Sequence, residues 1–553
     1  MLKKLQKLIA AATLIITPAM FTSVGNLYAQ ESAPEKLMLI TDLHLLSPSC
    51  MVSGGANLQK EIDNDNKMFD KADDIMQAVV NKVLTAKPAG LLIAGDLTKN
   101  GEKASHNVVA AHLQKLVDAG IKVWVIPGNH DVNNTNARTF SGGMVRTAAT
   151  VTSAEFATIY ANMGYNAAVE RDPNSLSYVC EPLPGLWLIA VDDNLCKERD
   201  KNRNLEANGI NAASLAWILA KADEAKAKGK QLMTMMHHQL IPHIDDQESL
   251  LGDAMVADVE NIRSQFLAHD MQLFLTGHIH ISNGSTWYNS DKSKSIVEVT
   301  TGSVIAYPCH VRNITMNAER NAISFTTDKL TKTPGDSNFA STALSRAKAS
   351  SRATVSSIIW HNWDEIGSLF GDYGITLSQE DFTEACVQGL GDVISELNIT
   401  MSNGNEQKSG VTPSSISKKL DSGVDATCDV LLADQNFLVK MMAKSVAKGR
   451  FHDMLDEAMN SALTDCTGVG TSRSNVTDDL TLTVSLPTPK KVTVKGDVNG
   501  DGEVDVTDIN NVVAIVLGDQ PASSFEGRGD VNGDGEIDAT DLNAVINVIL
   551  NGR

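Results

Sequence analysis

Short apolar runs alternate with helical patterns between Lys36 and about Asp328, and this alternation limits the possible folds more than any other feature of the chain. The runs are mostly aliphatic and are flanked by polar or turn residues, as buried strands are. They are Leu37–Ile40, Leu91–Ala94, Val123–Ile126, Leu186–Val191, Leu232–Met236 and Leu273–Leu275. Helical patterns such as Lys71–Leu84 and Ser105–Leu116 separate them. A layered α/β domain is therefore predicted.

This domain is predicted to end in strands near Ile296–Val299 and in a hairpin. The hairpin strands are Ile314–Met316 and Ile323–Thr326, with the turn at Asn317–Asn321. Amphipathic helical patterns follow from about Thr331 to Val469, at Ser356–Phe370, Asp381–Leu397 and Phe437–Leu463. Leu480–Leu486 alternates apolar and polar residues like an edge strand, and the Pro-containing run 487–491 is typical of a linker.

Length, charge and the amino terminus restrict the class of protein. A chain of 553 residues is too long for one core. Its formal net charge of −20 argues against binding to nucleic acids or anionic membranes, which need a basic surface. Lys3, Lys4 and Lys7 precede an apolar run, and a small residue, Ala29, stands before Gln30. This pattern predicts a signal peptide over residues 1–29, hence secretion to the extracellular space, periplasm or cell surface; an uncleaved anchor helix is the alternative.

The seven cysteines form no CxxC pair, so a thiolate zinc site is not indicated. No later stretch of the sequence is long and apolar enough to predict a membrane span in the mature chain.

Five polar motifs follow the apolar runs closely. They are Asp42-Leu43-His44, Gly95-Asp96, Gly128-Asn129-His130-Asp131, His237-His238 and Gly277-His278-Ile279-His280. The carboxyl ends of strands in open α/β sheets are where sites assemble. Carboxylates, imidazoles and one carboxamide suit divalent Mn, Fe or Zn. Two such cations about 3.5–4 Å apart can bind phosphate oxygens and hold a bridging hydroxide, while a separate acid protonates the leaving oxygen.

The five motifs, in this order, resemble the calcineurin-like metallophosphoesterase family. That resemblance implies an α/β/β/α metallophosphoesterase sandwich and two metals. Asp42, His44 and His280 would hold the first metal; Asn129, His237 and His278 would hold the second. Asp96 would bridge them. His130 would be the acid, and Asp131 would orient or polarise it.

Some residues in this set have other interpretations. Asp42 and Asp96 could cap helices, and Asn129 could be a turn residue. His237 and His238 point to opposite faces of a strand, and His237 is preferred because it directly ends the apolar run. His106, His243 and His310 could reach the mouth of the site, but we expect them to be ordinary surface histidines. The extended motifs are similar to the cyclic-nucleotide phosphodiesterase-like branch, whose members act on diesters and monoesters.

The last segment, Lys495–Arg553, contains a duplicated loop and helix. Its first copy offers Asp497, Asn499, Asp501, Glu503, Asp505 and Asp508, and its second offers Asp530, Asn532, Asp534, Glu536, Asp538 and Asp541. Gly502 and Gly535 occupy position 6, where a calcium loop turns sharply, and position 7 normally coordinates through its backbone carbonyl. The copies resemble a type I dockerin, which implies two calcium ions and a cohesin-like partner on a scaffold or surface protein. An acidic solvated tail is the alternative.

The predicted organisation is a signal peptide (1–29), a phosphoesterase domain (30–330), a helical cap or accessory domain (331–486), a linker (487–494) and a dockerin-like domain (495–553). The expected function is that of an exported dinuclear-metal hydrolase of phosphodiesters or phosphomonoesters, in which metal-bound hydroxide attacks phosphorus. The alternative is a non-catalytic protein that uses the phosphoesterase fold to display the dockerin-like module.

Overall fold

The structure is a computed structural model that describes residues between 35 and 551. It leaves out 206–207, 244–246, 248–253, 362, 364–377, 406–407, 464–472, 476–477, 487–494, 501–503 and 526. The predicted signal peptide, the predicted linker and the proposed calcium ligands Asp501 and Glu503 lie outside the described residues. No helix in the described ranges is long and apolar enough to span a membrane.

The strands occur where short apolar or alternating runs were found. In chain order they are β1 (Glu35–Ile40), β2 (Gly90–Ile93), β3 (Lys122–Val125), β4 (Arg138–Thr139), β5 (Arg146–Thr147), β6 (Glu170–Arg171), β7 (Tyr178–Leu183), β8 (Leu186–Ala190), β9 (Gln231–Met235), β10 (Leu273–Thr276), β11 (Asn283–Tyr288), β12 (Ser295–Thr300), β13 (His310–Met316), β14 (Ala322–Lys329), β15 (Arg473–Asn475) and β16 (Thr481–Ser485). The ten strands predicted from the sequence are confirmed. Six further strands were not predicted: β4, β5, β6, β7, β11 and β15.

The helices fill the intervals between strands and most of the segment after β14. They are α1 (Gly55–Asp63), α2 (Ala72–Ala86), α3 (Lys103–Asp118), α4 (Ser153–Ile159), α5 (Cys196–Lys201), α6 (Ala212–Ala227), α7 (Val259–Ala268), α8 (Phe339–His361), α9 (Gln379–Asn403), α10 (Pro413–Leu431), α11 (Phe437–Leu463), α12 (Val506–Leu517) and α13 (Ala539–Asn551). Short 3-10 turns lie at Pro48–Cys50, Phe69–Lys71, Ser141–Gly143 and Ala522–Phe525, and a π turn lies at Ala161–Tyr165.

Two mixed sheets form the centre of the fold. One has the order β16-β14-β13-β1-β2-β3, and the other has the order β15-β11-β12-β10-β9-β8-β7-β6. Strands β1, β2 and β3 are parallel, as are β8, β9, β10 and β12. The carboxyl ends of each parallel set therefore meet at one edge of their sheet, where the five motifs begin.

Alternating side chains pack the sheets into layers. Leu188 and Leu275 join the core shared by both sheets, whereas their neighbours Ile189 and Phe274 point to the opposite face. On that face Phe274 stacks on Phe266 of α7, with ring centroids 5.4 Å apart. Helices α2 and α3 add their apolar faces to the first core. The predicted α/β/β/α sandwich is confirmed.

The helical segment is tied into the sandwich by its last residues. Helices α8 to α10 pack on one another around a core of their own. The predicted patterns Asp381–Leu397 and Phe437–Leu463 are helical in α9 and α11, α10 was not predicted, and part of the pattern Ser356–Phe370 lies outside the described residues. Strand β16 then pairs with β14, and β15 pairs with β11, so each extends one sheet at its edge. The predicted edge strand Leu480–Leu486 is confirmed. It extends the same sheet as β14, and the predicted boundary between the phosphoesterase and accessory domains stays a prediction.

Candidate metal centre

The polar motifs meet because the strands before them end at the same edge. Loops after β1 and β2 run side by side: Asp42 N–H donates to Gly95 O at 3.1 Å, and His44 N–H donates to Asp96 O at 2.9 Å. Across the site, Gly277 N–H donates to His237 O at 3.1 Å, and Ser303 Oγ donates to Asp42 O at 2.7 Å. These main-chain bonds fix the side chains independently of any bound ion.

The first cluster contains Asp42, His44 and His280. Asp42 Oδ1 lies 3.3 Å from His280 Nε2 and 3.7 Å from His44 Nε2, and the two Nε2 atoms are 3.0 Å apart. All three side chains can offer a ligand atom to one cation. Asp42 and His44 are fully buried, whereas His280 is partly exposed, so the cluster opens to solvent on one side.

The second cluster contains Asn129, His237 and His278. Asn129 Oδ1 lies 3.1 Å from both His237 Nε2 and His278 Nδ1, which are 3.2 Å from each other. The other ring nitrogen of His237, Nδ1, is 2.8 Å from Ala94 O. Because a carbonyl only accepts, Nδ1 of His237 carries a hydrogen and Nε2 faces the cluster.

Asp96 stands between the two clusters. Its Oδ2 atom is 3.5 Å from His44 Nε2 and 3.3 Å from His237 Nε2, and its Oδ1 accepts a hydrogen bond from His130 N at 2.9 Å. One carboxylate oxygen thus faces a nitrogen of each cluster. This is the position that a bridging ligand of two cations needs.

Burial and mutual charge set the protonation of the cluster. Burial lowers the pKa of His44 and His278 well below the usual range, which leaves neutral imidazoles that can donate an electron pair to a metal. For His237 burial acts in the same direction, but the nearby Asp96 charge raises its pKa to about 10. Burial opposes ionisation of Asp96, yet the charges of His237, His130 and His44 hold its pKa well below 3.8.

His130 lies beside Asp96 at the mouth of the site. Its Nδ1 is 2.7 Å from Lys99 O and 2.8 Å from Asn100 Oδ1, so Nδ1 carries a hydrogen. Its Nε2 then faces the site, 3.9 Å from Asp96 Oδ2. Burial lowers the pKa of His130 to about 4, against the opposing charge of Asp96. His44, Asp96 and His130 also form a third group with atoms close enough to hold a cation.

The role of Asp131 in orienting or polarising His130 stays a prediction, and the carboxylate of Asp131 makes hydrogen bonds to main-chain groups. The Asp131 carboxylate accepts hydrogen bonds from the N–H groups of Gly128, Leu97 and Thr98, at 2.9 to 3.1 Å. The two residues are adjacent in the chain, and their side chains leave the turn in different directions. Asp131 therefore ties the Gly128 loop to the Asp96 loop, while Lys99 and Asn100 orient His130.

Tight backbone geometry brings the loops this close. A Cβ at Gly128 would lie 2.2 Å from Asp96 Oδ1, and one at Gly277 would lie 2.1 Å from Thr41 Oγ1. Asp42, His44, Asp96, His278 and His280 all have positive φ, between 35° and 68°. Left-handed backbone costs non-glycine residues energy, and such residues cluster at functional sites.

The donor set fits divalent cations. Asp42 Oδ1 is buried and has no hydrogen-bond partner among the described residues, which is costly unless a cation occupies the space beside it. Nitrogen and oxygen donors without thiolates match the metals expected from the sequence.

A residue beside the clusters, Asp193, was not found from the sequence. His238 lies next to it, with His238 Nδ1 3.3 Å from Asp193 Oδ2, and the His238 ring lies 4.4 Å from that of His278. Asp193 also accepts the His238 N–H at 2.8 Å. It follows the end of β8, so the strand-end rule that selected Asp42 could have selected it. His106, His243 and His310 are buried rather than on the surface, because each has a polar partner in the interior.

The two calcium loops share one pattern of hydrogen bonds. Asp508 Oδ1 accepts from the N–H groups of Val498 and Asn499, at 2.8 and 3.0 Å, and Asp541 Oδ1 accepts from Val531 and Asn532, at 2.7 and 3.0 Å. The position-12 carboxylates therefore close each loop onto the start of its helix.

Other proposed calcium ligands also organise the loops. Asp497 accepts from Gly500 N, Asp530 accepts from Gly533 and Gly535 N, and Asp534 accepts from Glu536 N. Asp505 and Asp538 each accept a main-chain N–H two residues on, at the first turn of α12 and α13. Asn532 donates to Asp534 Oδ2 at 2.8 Å.

The core between α12 and α13 uses only part of the apolar side of each helix. Val512 and Val545 are fully buried, but Val516 and Ile549 are exposed. The loop residues Val498 and Val531 and the connecting Phe525 complete the core instead. The periodicity of a helix identifies its apolar side but not how much of that side its partner covers.

A two-sheet sandwich with nitrogen and oxygen ligands at strand ends defines a metal-dependent hydrolase class. Residues 35–282 match the family model of the calcineurin-like phosphoesterases, and residues 495–550 match that of the type I dockerin domain. The chain therefore carries a calcineurin-like phosphoesterase domain and a type I dockerin domain. The first family implies divalent metals at the centre. Dockerins bind calcium and cohesins, and are typical of extracellular, surface-tethered proteins.

One curated relative is a probable cyclic nucleotide phosphodiesterase of Ruthia magnifica subsp. Calyptogena magnifica. It is 38% identical over 66 residues, which are 12% of this chain and 27% of the relative, so the match spans about a quarter of that protein. Among solved structures, the chain matches a dimetal phosphatase from Danio rerio, with TM-score 0.39, 13% identity and coverage of 54% of this chain and 97% of that one. Another is GAP50, the anchor in the inner membrane complex of Plasmodium, with TM-score 0.30, 10% identity and coverage of 57% and 94%.

Proposed function

We propose that this protein is an exported dinuclear metallophosphoesterase that hydrolyses a phosphodiester or phosphomonoester and is tethered through its dockerin domain. The observation that carries the proposal is the position of Asp96 Oδ2, 3.5 Å from His44 Nε2 and 3.3 Å from His237 Nε2. Asp42, His44 and His280 would hold one metal, Asn129, His237 and His278 would hold the other, and Asp96 would serve both. When bound, the metals supply Lewis acidity toward phosphoryl oxygens and activate the attacking water.

His130 is proposed to move the proton to the leaving oxygen. Lys99 O and Asn100 Oδ1 hold its Nδ1–H, which leaves Nε2 directed at the site mouth. An anionic substrate phosphate beside Nε2 favours the imidazolium, so substrate binding itself raises the pKa from about 4. The imidazolium can then donate its Nε2 proton as the ester bond breaks.

The relative named as a probable cyclic nucleotide phosphodiesterase supports a diester as the first substrate class to test. Export would bring the enzyme to extracellular phosphate esters rather than cytosolic ones. The proposal of export rests on the sequence pattern of residues 1–29 and on the dockerin domain. A cohesin-bearing scaffold or surface protein is the proposed partner.

The test is Asp96→Asn, measured for metal content and for hydrolysis of bis(4-nitrophenyl) phosphate and 4-nitrophenyl phosphate. A neutral amide bridges two cations poorly. We therefore expect fewer than two transition metals per chain and a hydrolysis rate at least about 10³-fold lower than that of wild type. Asp434→Asn, an exposed change on the helical segment, is the matched control. Wild-type protein that binds calcium but no transition metal and hydrolyses neither ester would instead indicate the non-catalytic display protein.

A further inference from the structure

One short segment after β8 contacts the main chain of two loops that carry proposed metal ligands. This support segment, residues 193–199, follows β8 and runs into α5. Gly209 N–H donates to Asp193 O at 2.7 Å, and Asn194 N–H donates to Asp192 Oδ1 at 3.0 Å. These bonds fix the backbone from which the side chains of the support segment reach the metal centre.

The first contact of the support segment is with the loop that carries Asn129. Arg199 Nη1 donates to Asn129 O at 3.0 Å, and Asn194 Nδ2 donates to Pro127 O at 2.9 Å. The two bonds hold the main chain on both sides of Gly128. Because Asn129 is the amide of the second cluster, they restrict where its Oδ1 atom can lie.

The second contact is with the loop after β9. Asp193 Oδ2 accepts the His238 N–H at 2.8 Å, and Asp193 Oδ1 accepts the His237 N–H at 3.4 Å. Asp193 Oδ1 also accepts from Asn194 Nδ2 at 2.8 Å, which joins this contact to the first. One segment therefore supports two of the three proposed ligands of the second metal, Asn129 and His237.

The ligands of the first cluster have other supports. The N–H groups of Asp42 and His44 donate to the loop after β2, and Ser303 Oγ donates to Asp42 O. Among the hydrogen bonds between described residues, none joins the support segment to a member of the first cluster. The two clusters are therefore held by different parts of the fold.

The environment of Arg199 makes its position costly. The residue is buried, with 7% of its surface exposed. Its Nε atom is buried as well and has no hydrogen-bond partner among the described residues. Burying a guanidinium group that is not fully hydrogen-bonded costs free energy. The bond to Asn129 O gives a reason for an arginine here, because an apolar side chain of similar length could not make it.

From these contacts we infer that Arg199 is a positioning residue for the second metal. Through Asn129 O it holds Asn129 Oδ1 where that atom faces His237 and His278. The inference rests on the proposed function, which assigns these three ligands to one metal. It adds to that function because it makes the two metals separable: loss of the Arg199 bond should weaken the second metal and spare the first.

The test is a titration of full-length apoprotein with Mn²⁺ in saturating calcium, followed by electron paramagnetic resonance. Two Mn²⁺ ions that share Asp96 give an exchange-coupled spectrum, whereas a single ion gives a mononuclear one. Arg199→Met should weaken the second Mn²⁺ about ten- to a hundredfold and leave the affinity of the first within about threefold. Arg199→Lys should recover part of the loss, because an ammonium group can still donate to Asn129 O.

The matched control is Arg346→Met. Arg346 Nη1 also donates to a main-chain carbonyl, Ile62 O, at 3.0 Å, but on the helical segment. This variant should change neither Mn²⁺ affinity.

A double-mutant cycle tests whether Arg199 acts through Asn129. Asn129→Ala removes the amide ligand, so Arg199→Met should add less than about threefold to the loss of the second Mn²⁺ in that background. Additive losses, equal weakening of both metals, or an unchanged second metal in Arg199→Met would each overturn the inference. Asn194→Ala removes the neighbouring bond to Pro127 O and should show the same selective loss, which keeps the test decisive if Arg199→Met does not fold.

Metal binding and hydrolysis separate the inference from the proposed function. Wild-type protein that binds an exchange-coupled Mn²⁺ pair but hydrolyses neither bis(4-nitrophenyl) phosphate nor 4-nitrophenyl phosphate would refute the proposed function and leave the positioning role intact. Wild-type protein that binds a single Mn²⁺ at the centre would overturn both.

Discussion

The phosphoesterase centre and the dockerin loops both present carboxylates to cations, but on different supports. Asp42 and Asp96 follow strands buried in a core shared by two sheets, and main-chain bonds fix them. The loops after Asp497 and Asp530 surround a core of five buried side chains. We therefore expect the sandwich to hold its metal ligands in place without metal, and the small domain to need calcium to hold its loops. Metal binding would then be a functional event in the first region and a folding event in the second.

The largest expected effect is the unfolding of the dockerin domain on calcium removal. Without the ion, the carboxylates of each loop repel one another, and the core is too small to offset that repulsion and the chain entropy. We expect the fragment Lys495–Arg553 to lose most of its helical circular dichroism in chelator and to regain it with calcium.

Catalysis should be nearly indifferent to the same change. A chain ending at Leu486 keeps β16 and all the residues of the metal centre, so its activity should match that of the full chain. Identical spectra of the fragment with and without calcium would show that the loops are not structural calcium sites, and the inference of a cohesin partner would then be lost.

The next prediction concerns His130, whose removal should leave the fold of the sandwich unchanged. His130→Ala should keep both metals and the wild-type Tm, because Lys99 and Asn100 lie on a loop that Asp131 still ties down. The rate should fall about 10²- to 10⁴-fold, most for alkyl esters, whose leaving oxygen needs the proton. Loss of metal from this variant would make His130 a ligand, as its proximity to His44 and Asp96 allows.

A third prediction tests whether the interior of the sandwich shields His106 from water and keeps it neutral in the folded state. His106 is buried, donates from Nε2 to Asp131 O at 2.8 Å and accepts from Tyr160 at Nδ1, 2.9 Å away. Burial lowers its pKa to about 4, below the value of about 6.5 in the unfolded chain. The unfolded state therefore binds the proton first, and this histidine costs stability as pH falls from about 6.5 to about 4, by up to roughly 3 kcal/mol.

The comparison of wild type with His106→Gln isolates this contribution from other titrating groups. Urea unfolding of both proteins at pH 7.5 and pH 5 should show a smaller loss of stability in the variant on acidification. Parallel pH dependence in the two proteins would mean that His106 is protonated or solvated in the folded state.

The smallest effect concerns the junction between helices and sandwich. Asp479 is buried, and its carboxylate accepts a hydrogen bond from Asn405 N at 2.6 Å. Its main-chain carbonyl accepts a hydrogen bond from the fully buried Arg312 at 2.9 Å. Asp479→Ala leaves the Asn405 N–H without its partner, so we expect a loss of about 1–3 kcal/mol in the free energy of unfolding. The exposed Asp434→Ala should cost less than about 0.5 kcal/mol. An unchanged midpoint for Asp479→Ala would show that the junction does not stabilise the fold.

The sequence by itself determined the strands that bear the site, the order of the motifs and the two loop repeats. Each of these signals is local: an apolar run of a few residues, a motif directly after it, or oxygen side chains at fixed loop positions. Asp42, Asp96 and His237 could be selected in this way because a strand end is recognisable from its neighbours in the chain.

Only the tertiary structure decided which distant segments meet and where neighbouring side chains point. Strand β16 pairs with β14 across about 160 residues, and an alternating run does not specify its partner. The sequence does not distinguish His106 from an exposed histidine, because only packing in the folded protein shields His106 from water. Asp131 shows the same limit: the direction of its side chain depends on contacts that the rest of the fold provides.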